Sequence, residues 1–184
     1  MTENADESMT WADEIVGEIL LQPEEIAKIV ERLGDEITRD YRGKNLVVVG
    51  ILRGAALFMA DLVRAIRLPL EMDFIAVSSY GQMTKSSGVV QIIKDLSSPI
   101  AGKDILLVED VVDSGLTWNY LKQILVARDP ASVKMCSLLD KPSTRKIDVT
   151  VDYLGVSIED KFVVGYGLDW KEIYRNLPFV MVPK

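Results

Sequence analysis

Short apolar runs separated by amphipathic helical segments constrain the fold of this chain more than any other feature. Leu46-Val47-Val48-Val49-Gly50-Ile51 is continuous, apolar and rich in β-branched residues, the pattern of a strand covered on both faces. Further strands are expected at Leu70 to Val77, Val89 to Ile93, Asp104 to Glu109 and Ser132 to Leu139. Between them, Ile26, Ile29, Val30, Leu33 and Ile37 recur at helical spacing from Pro23, a favoured first helical residue, through Asp40. Helices are also predicted from Ala55 to Ile66 and from Leu116 to Ala127. This alternation predicts an α/β fold, a mainly parallel sheet flanked by helices on both faces. The segment Lys141 to Lys184 is richer in aromatics and short broken strands, and is expected to form, with the N-terminal segment, a small cap over one sheet edge. One domain is expected over residues 13–184, with its core at about 40–140. Residues 1–12 are acidic, lack a periodic apolar face and read as a disordered arm.

Composition narrows the chemistry. The chain has no histidine, which excludes Ser-His-Asp and Cys-His triads, imidazole proton shuttles and the usual histidine-containing zinc sites. Acid–base work falls mainly to Asp, Glu, Lys or Tyr. A formal net charge of −7 argues against broad attraction to nucleic acid or an anionic membrane, so any phosphate must be caught locally. The single cysteine, Cys136, lies in the largely apolar run Val133 to Leu139 and reads as a buried spectator thiol in a reducing, cytoplasmic compartment. The start, MTENADESMT, is acidic where a signal peptide is basic and then apolar, and no run of about 18 apolar residues occurs.

The most informative stretch is ILLVEDVVDSGLT, residues 105 to 117. An apolar strand ends in Glu109-Asp110, and after Val111-Val112 the residues Asp113, Ser114, Gly115, Leu116 and Thr117 open a helix. Such a turn lies at the carboxyl edge of an open sheet, where ligands of α/β folds bind. Backbone N–H groups from Asp113 to Thr117, with the Ser114 and Thr117 hydroxyls, can hold a phosphate monoester at the positive end of a helix, and Gly115 lets the backbone come close. Ionised Glu109 and Asp110 accept from ribose hydroxyls, directly or through a Mg²⁺ shell. Phosphate together with a diol describes a phosphoribosyl group. Two plainer readings of the same residues are an acidic helix cap and a Walker-B-like strand end, although G-x-x-x-x-G-K-[ST] is absent.

VEDVVDSGLT resembles the phosphoribosyl pyrophosphate (PRPP) binding signature of the type I phosphoribosyltransferases. Further segments carry the resemblance to the hypoxanthine-guanine phosphoribosyltransferases over nearly the whole chain after about residue 15. Leu52-Arg53-Gly54 matches a family loop that has a non-proline cis peptide and binds pyrophosphate through its backbone. Ser79-Tyr80-Gly81 opens a polar stretch, Ser78 to Gly88, that resembles the family's mobile lid. The resemblance implies that Lys141 donates to the purine 6-oxo group, Phe162 stacks on the base, and Val163 and the Asp169 region meet the exocyclic edge. It also implies that Asp169 is a second Mg²⁺ ligand beside Glu109 and Asp110, that Arg175 binds pyrophosphate, and that Asp113 is the general base beside purine N7. Taken singly, Phe162 reads as core and Lys141 and Arg175 as solvated. One departure from the family pattern is Val156-Ser157-Ile158-Glu159-Asp160, where many relatives carry an aromatic and a proline.

The activity so implied is purine salvage: Mg²⁺-dependent transfer of phosphoribose from PRPP to hypoxanthine or guanine, giving IMP or GMP and pyrophosphate, in a homodimer or homotetramer. Two alternatives stay open. A PRPP-sensing regulator would need a DNA-reading module or a basic RNA face, and within enzymes the other is a transferase for xanthine or a pyrimidine, although Lys141 with Phe162 favours a 6-oxopurine.

Overall fold

The structure is a computed structural model that describes residues 15–79 and 90–184. The acidic arm and most of the lid stretch, including Tyr80, lie outside the described residues.

The chain begins with a short strand, β1 (Glu18–Leu21), and α1 (Pro23–Asp40). Pro23 starts α1 as expected, and the Glu25 carboxylate closes the first turn by accepting from the Gln22 N–H at 2.8 Å. There follow β2 (Leu46–Leu52), α2 (Ala56–Ala65), β3 (Glu71–Ser79), β4 (Val90–Lys94), β5 (Asp104–Val112), α3 (Leu116–Val126) and β6 (Ser132–Asp140). Two late strands, β7 (Tyr153–Ser157) and β8 (Val180–Val182), complete the fold. Six strands form the main sheet in the order β4-β3-β2-β5-β6-β7. All neighbours run parallel except β4, which returns antiparallel to β3. The expected α/β architecture is present.

The period-two alternation of each central strand divides the core. Val48, Leu106, Val108 and Leu138 face one way and pack with Leu33, Ile37, Phe58 and Leu62 of α1 and α2. Val47, Val49, Ile105, Leu107 and Met135 face the other way, against Trp118, Leu121 and Leu125 of α3. Parallel strands buried on both faces read as continuous apolar runs for this reason. Truncating one such residue, Leu106 for example, costs about 2–5 kcal/mol. Cys136 is fully buried, and burial pushes its thiol pKa up, as expected of an inert thiol.

Two boundaries depart from the sequence expectation. The strand expected to end at Glu109 continues through Val112, because Val111 and Val112 keep pairing with Leu139 and Asp140 of β6. Glu109 and Asp110 therefore sit inside the strand, not past its end. Of the segment assigned to the cap, β7 instead extends the main sheet beyond β6, drawn in by buried Tyr153 opposite Cys136. Beyond it β1 and β8 pair antiparallel, and Ile15, Val164, Leu177, Phe179 and Met181 make a small cluster, while Leu21, Val163, Tyr166, Leu168 and Val180 pack into the α1–α2 side of the main core.

Candidate active site

The carboxyl ends of β2, β5 and β6 deliver three chain segments to one place. Gly54 follows β2 and lies flat against Asp110: a β-carbon built on it would stand 1.8 Å from Asp110 Oδ2. A β-carbon on Gly167, from the cap, would stand 2.0 Å from the Gly54 carbonyl oxygen. The cap turn, the β2 loop and the acidic strand thus stack without room for a side chain between them. The Leu52–Arg53 peptide is cis.

The acidic strand leads into the loop Asp113 to Gly115. Its three preceding carbonyls all point at the segment 141–147. Val112 O accepts from Lys141 N at 2.9 Å and from Arg145 Nη1 at 2.9 Å; Asp113 O accepts from Arg145 Nη1; Ser114 O accepts from Lys146 N at 3.0 Å and Ile147 N at 3.3 Å. These peptides are trans, so each N–H points opposite its carbonyl. The amides of Asp113, Ser114 and Gly115 therefore face away from that segment, and none has a partner among the described residues. Thr117 and Trp118 add the free N–H groups of the first turn of α3, while Leu116 N reaches Ser114 Oγ at 3.4 Å. A cavity of about 70 Å³ opens here, lined among others by Glu109, Asp113, Ser114, Gly115 and Thr117. Inward-facing amides at a helix N-terminus make an anion site.

One alternative reading of this loop falls. The N-cap position of α3 belongs to Gly115 and no side chain caps the helix, so Asp113 is not a cap. The fold itself supplies a reason for glycine at 115. Its φ is 82°, and a β-carbon would meet Val149 Cγ2 at 2.6 Å and Ile147 O at 3.1 Å.

Electrostatics single out the acids. Burial pushes the Glu109 carboxyl well above the usual carboxylate range, and the neighbouring Asp110 charge adds to this. Burial likewise raises Asp110, although its carboxylate accepts from Val111 N at 2.9 Å. Adjacent half-buried acids with raised pKa values, one of them, Glu109, lining the cavity, mark a place suited to a cation or a polar ligand. Among the described residues no cluster of three or more Asp, Glu, His or Cys side chains is close enough to cage an ion. Mg²⁺ does not need one. It keeps several waters and binds through one or two carboxylates plus substrate oxygens, so Glu109 and Asp110 fit it.

Lys141 and Phe162 invert their individual sequence readings. Lys141 is buried, 8% exposed, and its ammonium has no hydrogen bond or ion pair among the described residues. Phe162 is 56% exposed, whereas the next residue, Val163, is buried. A buried cation without a partner among the described residues is unfavourable unless a ligand completes it, and the exposed Phe162 ring is accessible to a ligand.

Two cations complete the constellation. Arg175 Nη2 pairs with Asp169 Oδ1 at 2.7 Å, and Arg175 Nη1 donates to Gly167 O at 2.7 Å. Glu172, which the sequence reading missed, lies between the two arginines, 3.0 Å from Arg53 Nη1 and 3.2 Å from Arg175 Nη2. Its own N–H donates to Asp169 Oδ2 at 2.9 Å. Lys171, Glu172 and Tyr174 all have positive φ, between 52° and 71°, an uncommon backbone for residues other than glycine. The spacing Asp169, Glu172, Arg175 was the available signal. Ser79 pairs with Val90 and closes the two ends of the lid stretch side by side.

The Phosphoribosyl transferase domain matches residues 16–171, more than half of the chain, and defines its class. At higher resolution the likeness is to one branch. The hypoxanthine-guanine phosphoribosyltransferase of Bacillus subtilis is 50% identical over 169 residues, 92% of this chain and 94% of that protein. The protein of the same name from Staphylococcus aureus strain Mu50 is 50% identical over 163 residues, 89% of this chain and 91% of its own. A crystal structure of a Staphylococcus aureus hypoxanthine phosphoribosyltransferase superposes with a TM-score of 0.92 at 46% identity, covering 97% of both chains. A Trypanosoma cruzi hypoxanthine phosphoribosyl transferase superposes with a TM-score of 0.88 at 39% identity, covering 93% of both. The chain belongs to the hypoxanthine-guanine phosphoribosyltransferases, enzymes of purine salvage.

Proposed function

We propose that this protein transfers the phosphoribosyl group of PRPP to N9 of hypoxanthine or guanine, releasing pyrophosphate and forming IMP or GMP. The observation that carries the reading is the placement, at one sheet edge, of cavity-facing amides at residues 113–115, two adjacent half-buried carboxylates with raised pKa values, and a buried Lys141 without a partner among the described residues. These match, in order, a phosphate, a ribose diol and a carbonyl oxygen on a neutral base.

In this reading the amides of Asp113 to Gly115 and of the first turn of α3, with the Ser114 and Thr117 hydroxyls, hold the 5′-phosphate. Glu109 and Asp110 accept from the ribose hydroxyls and would hold Mg²⁺, with Asp169 as a further ligand once Arg175 is drawn away. When bound, the ion supplies positive charge to the departing pyrophosphate. Arg53, Arg175 and the Leu52–Gly54 backbone take up the same developing charge, and the diphosphate displaces the Glu172 carboxylate that now engages both guanidiniums. Lys141 donates to the 6-oxo group, Phe162 stacks on the base, and the Val163 backbone reads the exocyclic edge. Asp113, exposed at the cavity mouth and free of any cap role, accepts the purine proton as general base. Holding phosphate and base on facing walls lines up both reactants. The proposal extends to assembly as a homodimer or homotetramer in the cytoplasm. Among the described residues no helix is long and apolar enough to cross a membrane.

The test is turnover with PRPP and each of hypoxanthine, guanine, xanthine, adenine and uracil, with and without Mg²⁺. Turnover mainly with hypoxanthine and guanine, and dependent on Mg²⁺, is expected. Preference for xanthine or uracil would move the base assignment, and no turnover with any base would favour a PRPP-sensing regulator.

A further inference from the structure

Arg145 belongs to none of the roles above, yet it is one of the most enclosed cations in the structure. Its side chain is 15% exposed and pairs with Asp140, which is 11% exposed and ends β6. The guanidinium also donates to two successive carbonyls of the acidic loop, Val112 O and Asp113 O.

The three carbonyls of this loop are not equally supported. Val112 O has a second donor in Lys141 N, and Ser114 O is held by the amides of Lys146 and Ile147. Asp113 O has Arg145 alone among the described residues. The orientation of the peptide between Asp113 and Ser114 thus depends on one side chain. Its N–H, belonging to Ser114, faces the phosphate cavity only while its carbonyl faces Arg145. A rotation of that peptide would replace a donor in the cradle by a carbonyl oxygen, which repels a phosphate.

We infer that Arg145 is a positioning residue for the phosphate loop, holding the Asp113–Ser114 peptide so that the Ser114 amide points at the 5′-phosphate. Asp140 fixes the guanidinium from the opposite side, and the planar fork reaches both carbonyls and the carboxylate at once. Lysine cannot do this, because its ammonium is a point charge on a flexible stem. Since Asp140 and Arg145 flank Lys141, the same contact ties the purine-facing lysine to the phosphate-facing loop. The inference rests on the proposed phosphate site.

The experiment compares Arg145→Lys, Arg145→Met and Asp140→Asn with the wild-type protein by calorimetry, using GMP as one ligand and inorganic pyrophosphate as the other. Loss of one hydrogen bond to a charged group predicts a GMP affinity about 10-fold or more weaker in both Arg145 variants. Pyrophosphate, assigned to Arg53 and Arg175, should bind within about twofold of wild type. Asp140→Asn keeps the carbonyl contacts, so it should lower Tm while holding GMP affinity within about threefold. In amide NMR spectra, the shift of the Ser114 N–H on adding GMP should be present in wild type and lost in Arg145→Lys. Equal weakening of GMP and pyrophosphate, or full GMP affinity in Arg145→Lys, would overturn the role and leave Arg145 as a strut. A Ser114→Ala/Thr117→Val double variant separates the two levels. If GMP affinity is untouched there, the phosphate site itself is wrong; if it falls there but not in Arg145→Lys, only the role of Arg145 is wrong.

Discussion

The two edges of the main sheet are built on opposite principles. At the amino edge polar groups are matched. Lys103 meets both oxygens of Glu71 at 2.7 Å, Ser132 Oγ donates to Asp104 at 2.7 Å, and Arg128 grips Asp95 through two bonds of 2.8 and 2.7 Å. Asp73 accepts from Ser97 N, Phe74 N, Ser97 Oγ and Lys94. The buried hydroxyl of Tyr41 is the exception there. At the carboxyl edge amides and a buried lysine have no partner among the described residues, two half-buried acids with raised pKa values stand side by side, and three non-glycine residues between 171 and 174 have positive φ. At the carboxyl edge ion pairs such as Arg175–Asp169 and Arg145–Asp140 stand beside these groups, whereas the amino edge consists mainly of matched pairs. In the proposed function the unmatched groups at the second edge are the binding capacity, each to be completed by a ligand atom.

If that contrast is right, substitutions at the carboxyl edge should damage function far more than stability. The largest effect is expected from Asp113→Asn, which keeps size and removes basicity. Single-turnover kinetics with pre-bound PRPP should slow by roughly 10²–10⁴, with PRPP affinity little changed. An unaltered single-turnover rate would remove Asp113 from the chemistry. Next in size is Lys141→Ala. Loss of a charge-assisted bond to a carbonyl should weaken hypoxanthine and guanine binding by about 1.5–3 kcal/mol and spare PRPP. Calorimetry showing both ligands equally weakened would return Lys141 to a structural role.

A sharper version predicts a gain. Burial disfavours the charge on Asp110, so Asp110→Asn should stabilise the Mg²⁺-free protein by roughly 1 kcal/mol, a few degrees in Tm, while weakening PRPP binding. A fall in Tm would mean that the carboxylate is structural and that the two edges do not differ as described.

Much of the fold was legible because its code is local. Pro23 and the spacing of Ile26, Val30, Leu33 and Ile37 mark α1 from Pro23 to Asp40, and the apolar runs mark the central strands. The end of β5 was not legible, because a strand stops where its neighbour stops, and Leu139 and Asp140 decide that. Family order pointed to Lys141 and Phe162, but average burial preferences place each on the wrong side of the surface, an inversion that the proposed ligand site would explain. Arg145 left no sequence signal. It reaches Val112 across 33 positions, and nothing in Lys141-Pro142-Ser143-Thr144-Arg145 announces that contact. Glu172 was available only as helix-like spacing in a segment that forms no helix.

The smallest expected effect lies at the amino edge and tests the matched half of the comparison. Burial acts to raise the Asp73 carboxyl, but the Ser97 and Phe74 amides, the Ser97 hydroxyl and Lys94 outweigh it, so its pKa is lowered in the folded state. An acid with a depressed folded pKa contributes stability that is fully present above its unfolded value, near 3.9, and is lost as pH falls through the folded value. Asp73→Asn keeps one acceptor oxygen and loses the second, along with the ion pair to Lys94. It should therefore destabilise the protein by about 1 kcal/mol at neutral pH. The difference in unfolding free energy between wild type and variant should stay level from about pH 5 to 8 and shrink below about pH 4. Turnover should be unchanged throughout, because Asp73 stands at the edge opposite the site. A pH-independent difference would assign the effect to the lost acceptor alone, and a kinetic defect without a stability defect would show that the amino edge is coupled to the chemistry after all.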